Sequence, residues 1–274
     1  MQNLPGVGTS DAEPGRLDIQ ARQERILEHV RRRGYASIDA MSARFAVSTQ
    51  TIRRDIKHLC DLELLEKYHG GAGLPPGTDK LAYSNRMIRN AAAKHAVAKL
   101  VAEKIPNGAS LFIDIGTTME AVAEALIDHE GLSIVTNHIR VASILSQRRD
   151  FNISLAGGTV RHRDQAVTGE AATAFIERFK VGYGIFSIGG IDADGELLDY
   201  DYRDVQASLA AMANARRTFF AADSSKFNSD AMARLSHVSA IDALVTDAAP
   251  PAEIAQKLRE HDVALFIAPT AGGG

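Results

Sequence analysis

The residues from Ser37 to His69, SIDAMSARFAVSTQTIRRDIKHLCDLELLEKYH, decide how the chain is read. Ser37 precedes Ile38, Met41 and Phe45, the apolar side of a short helix. Its hydroxyl suits an N-cap, because the first amides of a helix have no acceptor of their own. After Ala46-Val47 a second capping hydroxyl follows, Ser48. From Thr49 onward Ile52, Ile56 and Leu59 recur at steps of four and three, which predicts a helix buried along one stripe. Its other face carries Gln50, Thr51, Arg53, Arg54, Lys57 and His58, all able to donate to phosphate. Gln50 and the arginines also match base edges. Helix, turn and polar second helix form the helix-turn-helix pattern, which points to duplex DNA. A three-helix cap with a solvated face would show the same periodicity. The adjacent guanidiniums of Arg53 and Arg54 favour DNA, since they repel one another unless an anion compensates them.

Around this stretch the chain divides by composition. Residues 1–16 are rich in Gly and Pro and read as a disordered leader. A first helix is expected over 19–33, with Ile26, Leu27 and Val30 inward and Gly34 as its stop. Residues 64–69 read as a strand running to a Gly70-Gly71 wing tip, where Lys67 and His69 are placed to meet phosphate. The DNA-binding module is therefore set at 17–73, a linker at 74–86 and a larger domain at 87–270. Residues 16–70 hold 11 Lys/Arg against 8 Asp/Glu within a chain of net charge −3, so a mildly basic module joins a mildly acidic body. No stretch nears the roughly 18 consecutive apolar residues of a membrane span. The start lacks a charged segment followed by an apolar run, so a cytoplasmic protein is expected. One cysteine, Cys60, excludes an internal disulfide. The nine histidines show no paired-ligand spacing, and no metal or cofactor is expected.

The larger domain opens with a helix expected over 87–104 and then alternates regularly. Strands are expected at 110–113, 133–136, 153–156, 184–188, 218–222, 243–246 and 263–267. Helices are expected at 119–129, 139–147, 171–179, 205–215 and 252–261. The alternation predicts an α/β domain, Rossmann-like, with a mostly parallel sheet covered on both faces. Such sheets bind ligands beyond the carboxyl ends of their strands, so polar residues placed there become site candidates. Asp114-Ile115-Gly116-Thr117-Thr118 ends the first strand and opens a helix, making a small anion cradle. No lysine follows the glycine as in a nucleotide loop, so a phosphorylated small metabolite fits better. Thr136-Asn137, Gly157-Gly158, Gly190-Ile191-Asp192 and Asp223-Ser224-Ser225-Lys226 close further strands. Asp114, Gly116, Thr117, Thr118, Thr136, Asn137, Gly158, Asp192 and Lys226 are thus the ligand-site candidates. Tyr202, within the polar and aromatic run 199–204, joins them as a reader of the non-phosphate end. Residues 161–164 read as a loop that either closes over the ligand or lies exposed, with exposure favoured.

The same residues carry a resemblance. Val47-Ser48-Thr49-Gln50-Thr51-Ile52-Arg53-Arg54-Asp55 and His69-Gly70-Gly71-Ala72 resemble the recognition segment and wing of the DeoR family of bacterial repressors. The likeness continues through the strand-end motifs just quoted and covers residues 17–268. A narrower likeness, to the branch governing glycerol 3-phosphate metabolism, rests on 105–108, 111–118, 201–205 and 228–234. The resemblance implies a winged helix-turn-helix repressor of glycerol genes, a homo-oligomer (dimer or tetramer), released from its operator by glycerol 3-phosphate. It also implies a sensor domain similar to ribose-5-phosphate isomerase, whose phosphate loop corresponds to Gly116–Thr118. That enzyme has an Asp-Gly-Ala-Asp segment where this chain reads Gly189-Gly190-Ile191-Asp192, and a lysine with no equivalent among 197–202. Isomerisation needs both a base and an electrophile, so a binding domain rather than an enzyme is expected. Many family members have a lysine where this chain has Gln206, which leaves any lysine-dependent contact there open. The alternatives are a regulator answering another sugar phosphate, or an active isomerase with a DNA module attached.

Overall fold

The computed structural model describes residues 14–33, 35–62, 64–68, 70–73, 90–229 and 231–269. The chain packs as two units, Met1–Pro76 and Gly77–Gly274. The expected linker, most of the expected leader and His69 lie outside the described residues.

In the first unit, α1 (Pro14–Arg33) starts earlier than the apolar pattern predicts. Proline suits a first helical position, where its missing N–H removes no bond. Ser37 caps α2 (Ile38–Phe45) by accepting from the Ala40 amide, and Ser48 caps α3 (Thr49–Asp61) by accepting from the Thr51 amide. Between them Ala46 takes a left-handed conformation (φ 52°) that turns the chain. Ile52, Ile56 and Leu59 are buried as their spacing predicts. Asp55 shares that stripe and is buried too. It accepts from Arg22 Nε at 2.7 Å and Gln23 Nε2 at 3.0 Å, tying α3 to α1. The wing is three-stranded, because β1 (Tyr35–Ser37) pairs with β3 (Gly71–Gly73), which also pairs with β2 (Glu66–Tyr68). Residues 35–37 thus form a strand as well as a cap. At Gly71 a Cβ would fall 2.3 Å from the Ala36 carbonyl, so only glycine permits this approach.

The second unit is built on a seven-stranded parallel sheet ordered β15-β14-β12-β9-β4-β5-β6. Its strands are β4 (Ser110–Ile113), β5 (Ser133–Thr136), β6 (Asn152–Leu155), β9 (Tyr183–Phe186), β12 (Thr218–Ala221), β14 (Ala243–Thr246) and β15 (Ala264–Ile267). Helices α4 (Ala91–Ala102), α5 (Thr117–Ala125), α6 (Ile139–Leu145), α7 (Glu170–Ile176), α8 (Tyr202–Met212) and α9 (Ala252–Glu260) accompany it. Side chains alternate across each strand. Leu111 and Ile113 join one core while Phe112 joins the other. On that second face Phe112, Phe186 and Phe220 stack across β4, β9 and β12, with centroids 5.6 and 5.1 Å apart. The expected mostly parallel α/β architecture is therefore present. Its periodicity did not reveal two small antiparallel additions. One is β7 (Thr159–Val160) with β8 (Val167–Thr168); the other is β10 (Gly190–Ile191), β11 (Glu196–Asp199) and β13 (Ala233–His237). Among the described residues no helix is long and apolar enough to cross a membrane.

Strand order reverses direction between β4 and β9. From β4 the chain winds outward through β5 to β6, and from β9 it winds the other way to β15. Sheets with such a reversal place their ligands beyond the carboxyl ends of the strands that flank it, here β4 and β9.

Replacing Asp55 with Ala removes the acceptor that Arg22 and Gln23 share between two helices, a loss of about 1.5–3 kcal/mol for charged hydrogen bonds. Hydrogen exchange should quicken roughly ten- to 150-fold in α1 and α3 and stay unchanged in the parallel sheet. Unaltered exchange in both helices would show that the bridge contributes nothing.

Candidate functional site

The first unit presents its cations from α3. Gln50, Arg53, Arg54, Lys57 and His58 are exposed, as is Lys67 on β2. Arg53, Arg54 and Lys57 make no ion pair among the described residues. Thr49 is half-buried, and Thr51 Oγ1 lies 2.9 Å from Ser48 Oγ, the oxygen that caps α3. The surface joins a helix N-terminus to free guanidiniums, which is what a phosphate backbone requires.

In the second unit the carboxyl ends of β4 and β9 gather much of the expected set. Gly116 has φ 110°, and a Cβ there would lie 3.1 Å from Ser187 Oγ. Glycine therefore allows the backbone to turn beside Ser187, whose hydroxyl donates to the Ile115 carbonyl at 2.8 Å. Thr117 and Thr118 follow as the first residues of α5, where the leading amides have no intrahelical acceptor. Asp114 is buried, and Ser208 of α8 donates to its carboxylate at 3.3 Å. Burial pushes the Asp114 carboxyl well above the usual carboxylate range. Thr136 donates to the Ile113 carbonyl at 2.7 Å, and Asn137 donates to the Val167 carbonyl at 3.2 Å. Lys226 stands 5.7 Å from the Tyr200 ring centroid, in the field of Asp199 and Asp223.

Three expected residues are placed otherwise. Asp192 accepts from the amides of Asp194 and Glu196, so its carboxylate closes its own turn. Gly158 (φ 152°) serves the backbone, since a Cβ would lie 2.9 Å from the Thr168 carbonyl. Tyr202 is 68% exposed, whereas Tyr200 donates to the Gly189 carbonyl at 3.1 Å.

The 161–164 loop, read as either closing over a ligand or lying exposed with exposure favoured, carries a dense charge cluster. The Arg161 side chain is 11% exposed. Its Nε donates to Asp164 at 2.9 Å and its Nη1 to Asp201 at 2.9 Å. Its Nη2 donates to both Asp164 and Asp204 at 2.8 Å. Burial opposes the guanidinium charge, but the Asp204 and Asp164 carboxylates outweigh it and raise the pKa. Asp164 goes the other way: burial would raise it, and the Arg161 hydrogen bonds bring it down. Asp199 has no such partner. Removal from water and the nearby Asp204 charge push it up to about 7. The pairing of Arg161 with Asp204, and of Ser208 with Asp114, escaped the sequence reading, because 43 residues separate Arg161 from Asp204 and no local pattern links them. The one local sign was Arg161 three residues before Asp164.

A family model described as the DeoR-like helix-turn-helix domain matches residues 22–77. Another, the DeoR C terminal sensor domain, matches residues 89–248. The chain belongs to the DeoR family. It is 44% identical over 246 residues to the glycerol-3-phosphate regulon repressor of Escherichia coli K12, covering 90% of this chain and 98% of that one. Among solved structures, the eIF2B-beta2-delta2 complex of C. thermophilum shares the fold, with a TM-score of 0.50 and 13% identity over 89% of this chain and 95% of that chain. Ribose 5-phosphate isomerase A of Neisseria gonorrhoeae aligns over 50% of this chain and 53% of that one, with a TM-score of 0.37 and 14% identity. DeoR-family members are transcriptional regulators, so this chain is a DNA-binding repressor with a small-molecule sensor domain and not an isomerase. Among the described residues no His, Cys, Asp or Glu group is arranged to hold a metal.

The Asp199 carboxyl binds its proton more tightly in the folded chain, about 7 against 3.8. Its contribution is therefore complete below about pH 4 and is lost as pH rises toward 7. Asp199→Asn keeps the oxygen that accepts from the Tyr200 amide and removes the charge. At pH 8 the variant should melt at a higher temperature than the native chain, with a smaller drop between pH 5.5 and 8. An identical drop in both proteins would refute the assignment.

Proposed function

We propose that the chain represses genes of glycerol and glycerol 3-phosphate use and that glycerol 3-phosphate releases it from its operator. It acts in the cytoplasm as a homo-oligomer, dimer or tetramer, so that paired copies of α3 meet successive half-sites. Ser48, Thr49, Gln50, Thr51, Arg53, Arg54, Lys57, Lys67 and His69 hold the duplex. The effector's phosphate sits against Gly116, Thr117 and Thr118, with Lys226 supplying a counter-charge and Asp114, Thr136 and Asn137 lining the site. The observation that carries this reading is the near-full-length match to a repressor so named, at 44% identity. The free cations of α3 and the strand reversal beside Gly116 supply the matching chemistry.

Release needs only a difference in ligand affinity between the DNA-competent and DNA-incompetent states. A difference of about 1–3 kcal/mol changes operator affinity roughly 5- to 150-fold. Phosphate is an effective handle because charge-assisted hydrogen bonds are about twice as strong as neutral ones.

Fluorescence anisotropy of labelled operator DNA at about 0.15 M salt tests the division of labour. Arg54→Glu should lose the operator while still binding glycerol 3-phosphate, and Thr118→Asp should hold the operator and lose the response. An Arg54→Glu protein with native operator affinity would show that α3 does not read the DNA. Release by another sugar phosphate alone would overturn the choice of effector.

A further inference from the structure

Three buried side chains, two consecutive after β5 and one on α8, grip the 161–168 segment with one atom and leave another atom without a partner. Asn137 donates through Nδ2 to the Val167 carbonyl, and its Oδ1 has no hydrogen-bond partner. His138 lies 2.8 Å through Nε2 from the Asp164 carbonyl. A carbonyl can only accept, so Nε2 carries the hydrogen and Nδ1 is an acceptor, also without a partner. Asp204 binds Arg161 through Oδ2, and its Oδ1 is likewise unpaired. The exposures of the three residues are 1%, 0% and 6%. Unpaired buried acceptors are rare and costly, and three held by one segment call for a common explanation.

The surroundings say what kind of group these atoms suit. Asp199 and Asp204 both act on the buried Asp114 carboxyl, to which Ser208, one helical turn along from Asp204, donates. Arg161 offers no anion site, because Nε, Nη1 and Nη2 already donate to Asp164, Asp201 and Asp204. Burial holds the His138 ring down to about pKa 4, so it is neutral and cannot supply a charge. Arg163 and Arg203 are likewise engaged, with Asp164 and Asp201, so the neighbourhood is rich in acceptors and carboxylates and its guanidiniums are already paired. It rewards a group that brings hydrogens and penalises one that brings negative charge.

We infer that Asn137, His138 and Asp204 read the end of the effector opposite its phosphate by accepting hydrogen bonds from hydroxyls. The sensor therefore selects polyol phosphates over alkyl phosphates and phosphorylated carboxylates. Arg161 is a positioning residue that holds Asp204 and the 161–168 segment in place. This selectivity rests on the proposed seat of the phosphate at Gly116–Thr118.

Calorimetric titration of the full chain with glycerol 3-phosphate, n-propyl phosphate and 3-phosphoglycerate tests it, with operator release read in parallel. The two analogues should bind at least roughly tenfold more weakly than glycerol 3-phosphate, one for want of hydroxyls and the other for its carboxylate. Asp204→Asn, which removes a charge and presents an N–H, should narrow the deficit of 3-phosphoglycerate. Asn137→Ala should narrow that of propyl phosphate. The native chain alone suffices for the first comparison if either variant fails to fold. Equal affinity for all three phosphates overturns the inference, even if all three release the operator and so uphold the proposed regulation. The expected selectivity without release supports the inference and sinks the regulation. Binding of none of the three overturns both.

Discussion

The most buried guanidinium of the second unit's charge cluster ties a loop to a helix. Arg161 draws Asp164 from its own loop and Asp201 and Asp204 from the start of α8 into one buried cluster. Such a cluster is not a source of great net stability, since desolvating the charges offsets most of their attraction. What it supplies is position. With Arg161 in place, the 161–168 segment lies against His138 and Asn137, and α8 brings Ser208 to Asp114. Removing any one member would strand a buried charge, which makes the arrangement hard to vary piecemeal.

The DNA-binding unit meets the opposite requirement. Its task is to keep cations exposed and unpaired, because a guanidinium already satisfied by a protein carboxylate has less to offer a phosphate. Of the two carboxylates within α3, Asp61 ends the helix, and Asp55 points inward and is occupied by Arg22 and Gln23. Arg53 and Arg54 lie exposed on the outer face with no ion pair among the described residues. In one unit the positive charge is neutralised so that a cluster can be buried, and in the other it is left free so that a polyanion can be held.

Much of the architecture was legible because it follows from local periodicity. The four-and-three spacing of Ile52, Ile56 and Leu59 marked α3, and the hydroxyls of Ser37 and Ser48 marked its neighbourhood. Alternating apolar runs marked all seven parallel strands to within a residue or two. Gly116 stood out because a glycine between a strand and a helix rich in hydroxyls implies a tight turn. What escaped was set by contacts distant in sequence. Nothing near Arg161 announces Asp201 or Asp204, so a charged loop after two glycines looked solvated. The two-residue strands β7, β8 and β10 are too short to show alternation. Asp192 looked available because polarity at a strand end does not reveal whether a turn has already claimed the side chain.

Linkage between the two units is the central claim, and linkage is reciprocal: a ligand that weakens the grip on DNA must itself be bound less tightly when DNA is present. The most direct measurement is calorimetric titration of glycerol 3-phosphate into the free protein and into the protein saturated with operator. The dissociation constant should be higher in the complex, by the same factor as the ligand lowers operator affinity, within the roughly 5- to 150-fold span of such couplings. Identical constants with and without operator would contradict it.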